Sequence, residues 1–344
     1  MCEGWAHGFG KMLEILECRT RREIKRFFDA GRLFGNDPAE DGYLRRFANP
    51  ALNPIAANGP MRFFLAREDE RTAGRIMTFS DGRYIARTGR REGFFALADA
   101  RNGRVANALF ERAEDAQRKW GNMTLTGPVS PDGSGFFGGV SPGTNRSIFE
   151  GTASDCVFEA LQNRGYDVIS RFDAYAVCVP ETNPFSALAA RAEKRFCLNC
   201  VSFSGLGMRE KSERWISDCA NPERRADTLR EYGRILSSVS RRHSFAVLRN
   251  GVCVGYVLTL GSKKTGFRVT TLETGPGAYT PPVALVLINA LCDSLIDRGV
   301  KTVCASVVNR DNTASARLVK RVGGGVERTY REFSRKYLDN LTEK

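Results

Sequence analysis

A glycine-rich segment between two patterned stretches carries the residues best suited to bind an anion. Glu273 and Thr274 end a predicted strand, and Gly275, Gly277 and Thr280 follow before a predicted helix. Glycines leave backbone amides free to approach an anion, and a helix N-terminus adds a partial positive charge. The segment therefore predicts a site for a diphosphate group, with an ordinary strand-to-helix loop as the alternative.

A second set of candidate residues follows the next predicted strand, residues 302–308. Asn309 and Asn312 lie between this strand and a predicted helix over 313–321. From Asn312 onwards the chain has the spacing asparagine, small residue, leucine with a bulky partner, glycine. The residues of this pattern are Asn312, Ser315, Leu318, Val319 and Gly323.

The histidine and cysteine residues do not predict a metal site or a covalent nucleophile. Cys197 and Cys200 have the spacing of metal ligands, but no second Cys or His pair completes a tetrahedral site. Cys253 falls in an apolar strand and no cysteine has a histidine near it in sequence, which favours buried hydrophobic roles. His243 is interpreted as a structural residue.

The elements that must position these residues occur twice along the chain. Each half has the order strand, helices, hairpin, strand, helix, strand, helix, strand. The strongest hairpin signal is Asn250-Gly251 between two apolar runs, and the longest clear helix of the first half covers 104–120. This order predicts an α/β fold with two tandem domains, each a mixed, mostly antiparallel central sheet with helices on both faces.

The predicted domain boundary lies at residues 180–184, which contain two prolines between patterned segments. Residues 1–11 are predicted to be a flexible extension, residues 12–180 the N-terminal domain and residues 185–344 the C-terminal domain. The 344 residues, of which 42% are hydrophobic, suffice for two cores of ordinary size.

The charge and the apolar segments limit the classes of partner. Lys and Arg outnumber Asp and Glu by 52 to 39, giving a net charge of +13 that favours anionic partners such as CoA phosphates or RNA. The cationic cluster at residues 19–26 contains a Thr20/Glu23 capping-box pattern and is interpreted as a solvated helix face rather than a nucleic-acid patch.

The longest apolar run, 281–291, is too short to span a membrane, so we predict a buried helix and no membrane span. Without a signal peptide, the expected location is the cytoplasm.

The Asn312 spacing resembles the closing segment of many GCN5-related N-acetyltransferase (GNAT) domains. The first half is similar through its hairpin, strand, long helix and closing residues. These features contain Gly74-Arg75-Ile76, Gly93-Phe94-Phe95, residues 105–120 and Gly165-Tyr166. The resemblance covers residues 12–338 and implies two tandem GNAT-like domains.

In the GNAT family a gap between the fourth and fifth strands holds the pantetheine of CoA, loop amides bind the pyrophosphate, and an amine attacks the thioester directly. The resemblance therefore implies acetyl-CoA or another acyl-CoA as co-substrate, without a metal. By position, it implies that Glu273 is the base and that Asn309 and Asn312 contact the cofactor. The phosphate cradle would comprise Thr274, Gly275, Gly277 and Thr280.

Two departures from the family pattern affect the expected chemistry. Val319 stands in place of the tyrosine that often acts as general acid in the family, so this role passes to Tyr330, to water, or to no group at all. The equivalent loop of the first half, residues 99–103, has a single glycine. We therefore expect the N-terminal domain to be degenerate and to have lost CoA binding.

The expected function is N-acyl transfer to an amine of a small molecule or peptide, including a natural product. One alternative keeps the fold but uses aminoacyl-tRNA, as the Fem-type peptidyltransferases do, and is compatible with the net charge. The other alternative is a catalytically inactive GNAT-like binding protein.

Overall fold

The computed structural model describes residues 12–35, 58–129, 139–140, 154–204, 208–219, 240–262, 266–275 and 280–337. Within these ranges thirteen strands alternate with eight α-helices. The strands are β1 (Leu13–Glu17), β2 (Met61–Glu68), β3 (Arg71–Ser80), β4 (Glu92–Ala100), β5 (Thr124–Gly127), β6 (Gly139–Val140), β7 (Asp167–Cys178), β8 (Leu198–Ser202), β9 (Phe245–Arg249), β10 (Val252–Ser262), β11 (Gly266–Thr274), β12 (Thr302–Asn309) and β13 (Gly325–Lys336). The helices are α1 (Arg21–Asp29), α2 (Gly82–Thr88), α3 (Gly103–Lys119), α4 (Asp155–Asn163), α5 (Ser186–Phe196), α6 (Met208–Cys219), α7 (Thr280–Asp297) and α8 (Thr313–Arg321).

The chain forms two compact units that are not consecutive blocks of sequence. Unit 1 contains Met1–Thr144, Glu150–Ser170 and Arg331–Lys344, and unit 2 contains Asn145–Phe149 and Arg171–Tyr330. β7 begins in unit 1 and ends in unit 2, whereas β13 begins in unit 2 and ends in unit 1. The boundary placed at residues 180–184 from sequence remains a prediction.

The sheet of unit 1 has the strand order β1-β2-β3-β4-β5-β13. β4 and β5 are parallel, and β1 with β2, β2 with β3, β3 with β4 and β5 with β13 are antiparallel. The last residues of β13 supply the final strand, with Phe333 opposite Gly127 and Lys336 opposite Thr124. The second part of β13 therefore extends the sheet of unit 1 beyond β5.

Helices cover both faces of the unit 1 sheet because its strands alternate between two apolar clusters. One cluster joins Phe95 to residues of α3 and α4, and the other joins Phe63 to Phe27 and Phe28 of α1. Gly74 lets α3 lie directly on the sheet, since an added Cβ would be 2.7 Å from the Val105 side chain.

Unit 2 repeats this arrangement with the order β8-β9-β10-β11-β12-β7 followed by the first part of β13. β11 and β12 are the parallel pair, and the other neighbours from β8 to β7 are antiparallel. α5 and α7 pack on one face and α6 on the other. Gly255 occupies the place of Gly74, because its added Cβ would lie 2.5 Å from Val283 of α7. The predicted fold class is confirmed.

α7 combines a core position with an unusually apolar sequence. Seven of its residues are buried, among them Val283, Leu287 and Leu295, and they pack in the core of unit 2. By length and composition this 18-residue helix is also apolar enough to cross a membrane. The absence of a membrane span therefore remains a prediction.

Candidate active site

The C-terminal ends of β11 and β12 separate from each other in unit 2. These strands pair over only three residues each, ending at Val269 and Ala305. β11 then continues to Thr274, while β12 continues to Asn309 paired with β7 on its other side. Because parallel neighbours normally keep their hydrogen bonds along their length, this early end of pairing opens a gap in the sheet.

The β11 side of this gap is only partly covered. Every residue from 269 to 274 is half-buried, although β11 lies in the interior of the strand order. A register shift between Leu258 and Thr259 places a bulge in β11 opposite them, and the Thr270 hydroxyl donates to the Leu258 carbonyl over 3.2 Å. A bulge leaves a residue outside the regular ladder, so the pairing of β11 is interrupted beside the gap.

Glu273 and Tyr256 are direct cross-strand neighbours beside the gap. The Tyr256 hydroxyl donates a long hydrogen bond of 3.5 Å to Glu273 Oε2, and the tyrosine is fully buried. Tyr256 packs with Trp215 and Cys219 of α6, which defines the face on which the carboxylate lies. A half-buried carboxylate held by a phenol is a suitable proton acceptor.

Two thiols lie near Glu273 on the same face. Cys219 Sγ donates to Cys253 Sγ over 3.5 Å, and both cysteines are buried. The hydrogen bond with Cys253 and the burial of the thiol raise the pKa of Cys219, and the negative charge of Glu273 adds to this. Cys219 is therefore a protonated thiol rather than a nucleophile. Its buried partner Cys253 has the hydrophobic role expected from the sequence.

The predicted phosphate cradle is assembled only in part. The Thr274 hydroxyl donates to the Thr280 hydroxyl over 3.3 Å, which ties the end of β11 to the start of α7. The Gly275 amide donates to the Val254 carbonyl over 2.9 Å and is therefore already engaged. Gly277 lies outside the described residues. Because Pro281 and Pro282 carry no N–H, the first turn of α7 offers few amide donors, and the described part of the cradle consists of the two threonine side chains at the helix start.

The two predicted asparagines lie together at the end of β12. Asn309 Oδ1 accepts the Asp311 amide over 2.8 Å, and Asn312 Oδ1 caps α8 by accepting the Ser315 amide over 3.1 Å. Both side-chain oxygens therefore stabilise the turn into α8. Because β11 and β12 are parallel, this turn lies at the same edge of the sheet as Glu273.

Tyr330 is not brought together with Glu273. It lies on β13, which β7 and β12 separate from β11 in the strand order of unit 2. At about 4.8 Å per strand this separation is roughly 14 Å, before the gap between β11 and β12 is added. Tyr330 is also almost fully buried. The geometry gives no support for the predicted general-acid role.

Unit 1 contains the same two positions with a different pair of side chains. Gly74 and Arg75 on β3 match Gly255 and Tyr256 on β10, and Asp99 on β4 matches Glu273 on β11. Arg75 Nε donates to Asp99 Oδ2 over 2.7 Å, and both side chains are buried.

Arg75 in addition donates to the Phe27 and Phe28 carbonyls at the end of α1. At this matching position, the acid of unit 2 is hydrogen-bonded to a tyrosine, whereas the acid of unit 1 forms a buried ion pair with an arginine. These pairs were not predicted from the sequence, although a glycine followed by a large polar residue occurs in the matching strand of each half and could have indicated them.

The strand gap of unit 1 is filled. β4 and β5 pair only as far as Phe94 and Thr126, but the next residue, Phe95, is completely buried and packs edge-to-face on Phe110 of α3. The Val129 amide donates to the Phe95 carbonyl over 2.9 Å and closes the gap from the β5 side. At the end of β4, the Ala100 carbonyl accepts from Ser154, the residue before α4. The open gap of unit 2 has no counterpart among these residues.

His243 has the contacts of a structural residue, as expected. Its Nδ1 lies 3.1 Å from the Ser294 hydroxyl, and its ring packs edge-to-face on Phe267. Burial lowers the pKa of His243, and the charges of Arg298 and Arg242 lower it further, so the ring is neutral. Within the described residues, no group of three or more His, Cys, Asp or Glu side chains could hold a metal ion.

Comparison with solved structures identifies the fold. A tandem GNAT protein from the clavulanic acid biosynthesis pathway aligns with 96% of this chain and 100% of its own, with a TM-score of 0.62 and 12% identity. The GCN5-related glucosamine N-acetyltransferase region of a fungal multi-domain GH3 β-N-acetylglucosaminidase aligns with 95% of this chain and 38% of its own, with a TM-score of 0.61 and 11% identity. A GCN5-related N-acetyltransferase from Sphaerobacter thermophilus aligns with 96% and 98%, with a TM-score of 0.51 and 14% identity. No protein-family model and no curated protein matches the sequence.

The strand gap and these alignments define the class of fold as GNAT-like. More specifically, the chain has the fold of a tandem GNAT protein, because the tandem neighbour is covered over its whole length. At this level of sequence identity the likeness shows the fold alone.

Proposed function

We propose that unit 2 transfers an acyl group from acetyl-CoA or another acyl-CoA to an amine. The observation that carries the proposal is the open gap between β11 and β12 beside the half-buried Glu273. A gap between two strands offers unpaired backbone groups to an extended amide-containing chain such as pantetheine. The matching gap of unit 1 is filled by Phe95, so a single catalytic unit is proposed.

Glu273 acts as the general base in this proposal. Its carboxylate accepts the proton that the acceptor ammonium loses, and the free amine then attacks the thioester carbonyl. The new C–N bond forms as the C–S bond breaks, the sulfur leaves with the bonding electron pair, and the second proton of the nitrogen passes to the thiolate, directly or through water, to give the amide and the free thiol. The Tyr256 hydroxyl, 3.5 Å from Glu273 Oε2, holds the carboxylate from the neighbouring strand β10.

The end of β11 and the start of α7 hold the diphosphate in the proposed complex. The Thr274 and Thr280 hydroxyls contact each other there, beside the positive end of the helix dipole, while Pro281 and Pro282 contribute no N–H. An 18-residue helix presents a substantial partial positive charge at this end. Asn309 and Asn312 fix the turn on the opposite side of the gap.

The acceptor is proposed to be a small-molecule or peptide amine. The tandem neighbour in the clavulanic acid pathway supports a small-molecule acceptor, including one from natural-product biosynthesis. Glu273 faces α6, so the acceptor approaches on the α6 side of the sheet while α7 packs on the other side.

Binding of acetyl-CoA to the full chain tests the proposal first. At a concentration one hundred times the dissociation constant, ligand binding adds about 2.7 kcal/mol to stability. For a unit of this size the melting temperature should rise by roughly 5–10 °C. No rise with acetyl-CoA or with longer acyl-CoAs would refute the proposal.

The variant Glu273→Gln then tests the chemistry. In an assay that measures acylated amine by mass spectrometry, kcat/KM should fall by about 10²–10⁴ while the acyl-CoA-induced thermal shift persists. Glu181→Gln is the matched control, because Glu181 is an exposed acid of the same unit. Equal activity of the two variants would remove Glu273 from the mechanism.

A further inference from the structure

α1 is held in one orientation by both its start and its apolar face. The Thr20 hydroxyl accepts the Glu23 amide, and the Glu23 carboxylate accepts the Thr20 and Arg19 amides, so the predicted capping box is present. Phe27 and Phe28 are completely buried in the core of unit 1. The opposite side of the helix is therefore fixed towards solvent.

Four cations occupy that exposed side. Arg21, Arg22, Lys25 and Arg26 are all exposed, and at 100° per residue they fall within an arc of about 140°. We call these four residues the basic face of α1.

The basic face is not neutralised locally. The acid of the first turn, Glu23, is used in the capping box. In the described part of the chain the nearby acid Glu17 pairs with Arg19 and Arg62 instead, and no carboxylate forms an ion pair with any residue of the basic face. Within the described ranges Arg26 interacts electrostatically with Glu23 but forms no close ion pair, and a row of four exposed cations is a stronger electrostatic feature than a mixed-charge solvated helix face.

We propose that the basic face of α1 binds the phosphate backbone of a double-stranded nucleic acid without reading its sequence. Three of the four residues are arginines, whose planar guanidinium groups donate two parallel hydrogen bonds to a phosphate. Each cation that neutralises a phosphate also releases condensed counterions, which is the main source of affinity in such contacts. This activity is separate from the acyl transfer proposed for unit 2.

The same observations argue against other polyanionic partners. A membrane-surface helix needs a free apolar face, but Phe27 and Phe28 are committed to the core. Exposed cations alone add little to a protein interface, which depends on buried apolar or aromatic anchors. No exposed aromatic residue of α1 offers a platform for stacking unpaired bases, which favours a duplex over a single strand.

The experiment measures anisotropy of a fluorescein-labelled 20-base-pair DNA duplex, and of an RNA duplex of the same length, with the full chain between 50 and 200 mM salt. Four phosphate contacts predict a slope of about −3 to −4 in log K against log salt, or roughly a hundredfold loss of affinity over this range. The variant with Arg21, Arg22, Lys25 and Arg26 all changed to Gln should lose most of that slope. Gln has a helix propensity close to that of Arg and Lys, and circular dichroism checks the fold.

A second quadruple variant separates a local surface from net charge. Lys119→Gln, Lys194→Gln, Lys301→Gln and Arg321→Gln remove the same charge from scattered exposed sites. Retained duplex binding in this variant supports the proposal. Three results would each overturn it. These are an equal loss of duplex affinity in both variants, no duplex binding at 50 mM salt, and tighter binding to phosphatidylserine vesicles than to either duplex through the basic face.

Discussion

Asp99 and Glu273 occupy matching positions in the two units, yet their replacement should have opposite effects. We consider Asp99→Asn, which keeps the size of the side chain and removes its charge. Asp99 is bonded to Arg75 over 2.7 Å, and the two side chains are only 5% and 1% exposed. The change leaves a buried guanidinium without its counter-charge.

The expected cost follows from these contacts. Breaking a buried ion pair from one side costs about 3–5 kcal/mol. Arg75 keeps its hydrogen bonds to two α1 carbonyls at 3.2 and 3.3 Å, and asparagine keeps an acceptor oxygen, so we place the loss near 3 kcal/mol. For a unit of this size that lowers the melting temperature by roughly 6–12 °C. The double variant Arg75→Met/Asp99→Leu should recover most of the loss, because a well-packed apolar pair often replaces a buried ion pair without cost.

Urea unfolding of the two units can be followed separately by tryptophan fluorescence. Trp120 belongs to unit 1 and Trp215 to unit 2, so a background with Trp5→Phe and Trp215→Phe reports unit 1 through Trp120 alone. Asp99→Asn should lower the midpoint of this transition and leave kcat/KM of the folded enzyme unchanged. Glu273→Gln should instead lower kcat/KM and change the free energy of unfolding by less than about 1 kcal/mol. A catalytic loss in Asp99→Asn without destabilisation would refute the assignment of unit 1 as structural.

Three further predictions concern unit 1. Burial raises the pKa of Glu332 to about 7, so the folded state loses stability as pH rises from about 4.5 through 7. Glu332→Gln should therefore have little effect on stability at pH 4.5 and should increase it by up to about 3 kcal/mol at pH 8, measured by thermal unfolding at each pH. Gly74→Ala should destabilise unit 1 by about 1–3 kcal/mol, because the added methyl would lie 2.7 Å from a backbone oxygen and 2.7 Å from a side chain of α3. An unchanged midpoint of urea unfolding would contradict the tight packing at this position. Glu114→Ala should reduce the free energy of unfolding by about 2–3 kcal/mol, because this buried carboxylate accepts hydrogen bonds from Arg164, Arg335 and Tyr166. The two arginines are partly exposed and can turn to solvent, which limits the loss, and a loss below about 0.5 kcal/mol in the same assay would show that the network adds nothing.

Local sequence signals predicted the elements that carry strong patterns of their own. Asn250 and Gly251 both have positive φ angles, as their hairpin signal requires, and Asn312 caps α8 at the point where its motif begins. α2 and α5 were not predicted. α2 has seven residues and none is buried, and only Ala189 and Ala192 are buried in α5, so neither shows an apolar period.

The candidate site was predicted less completely because it depends on contacts that are distant in sequence. Glu273, Thr274 and Thr280 were found because they are adjacent to a readable strand end. Tyr256 belongs to the preceding strand, and its relation to Glu273 becomes visible only once the register of β10 and β11 is known. The role assigned to Tyr330 rested on family position alone, and strand order determines that it lies elsewhere.

The C-terminal half of β13 has a consequence for synthesis of the chain. Residues 331–336 include the strand residues that pair with β5, although more than 200 residues separate the two strands in sequence. β5 is therefore synthesised long before the strand that pairs with it, and its edge lacks this partner while the residues between the two strands are translated. A fragment that ends before residue 331 would leave β5 without this partner, so soluble production of unit 1 alone requires residues 331–336 to be joined to it by circular permutation.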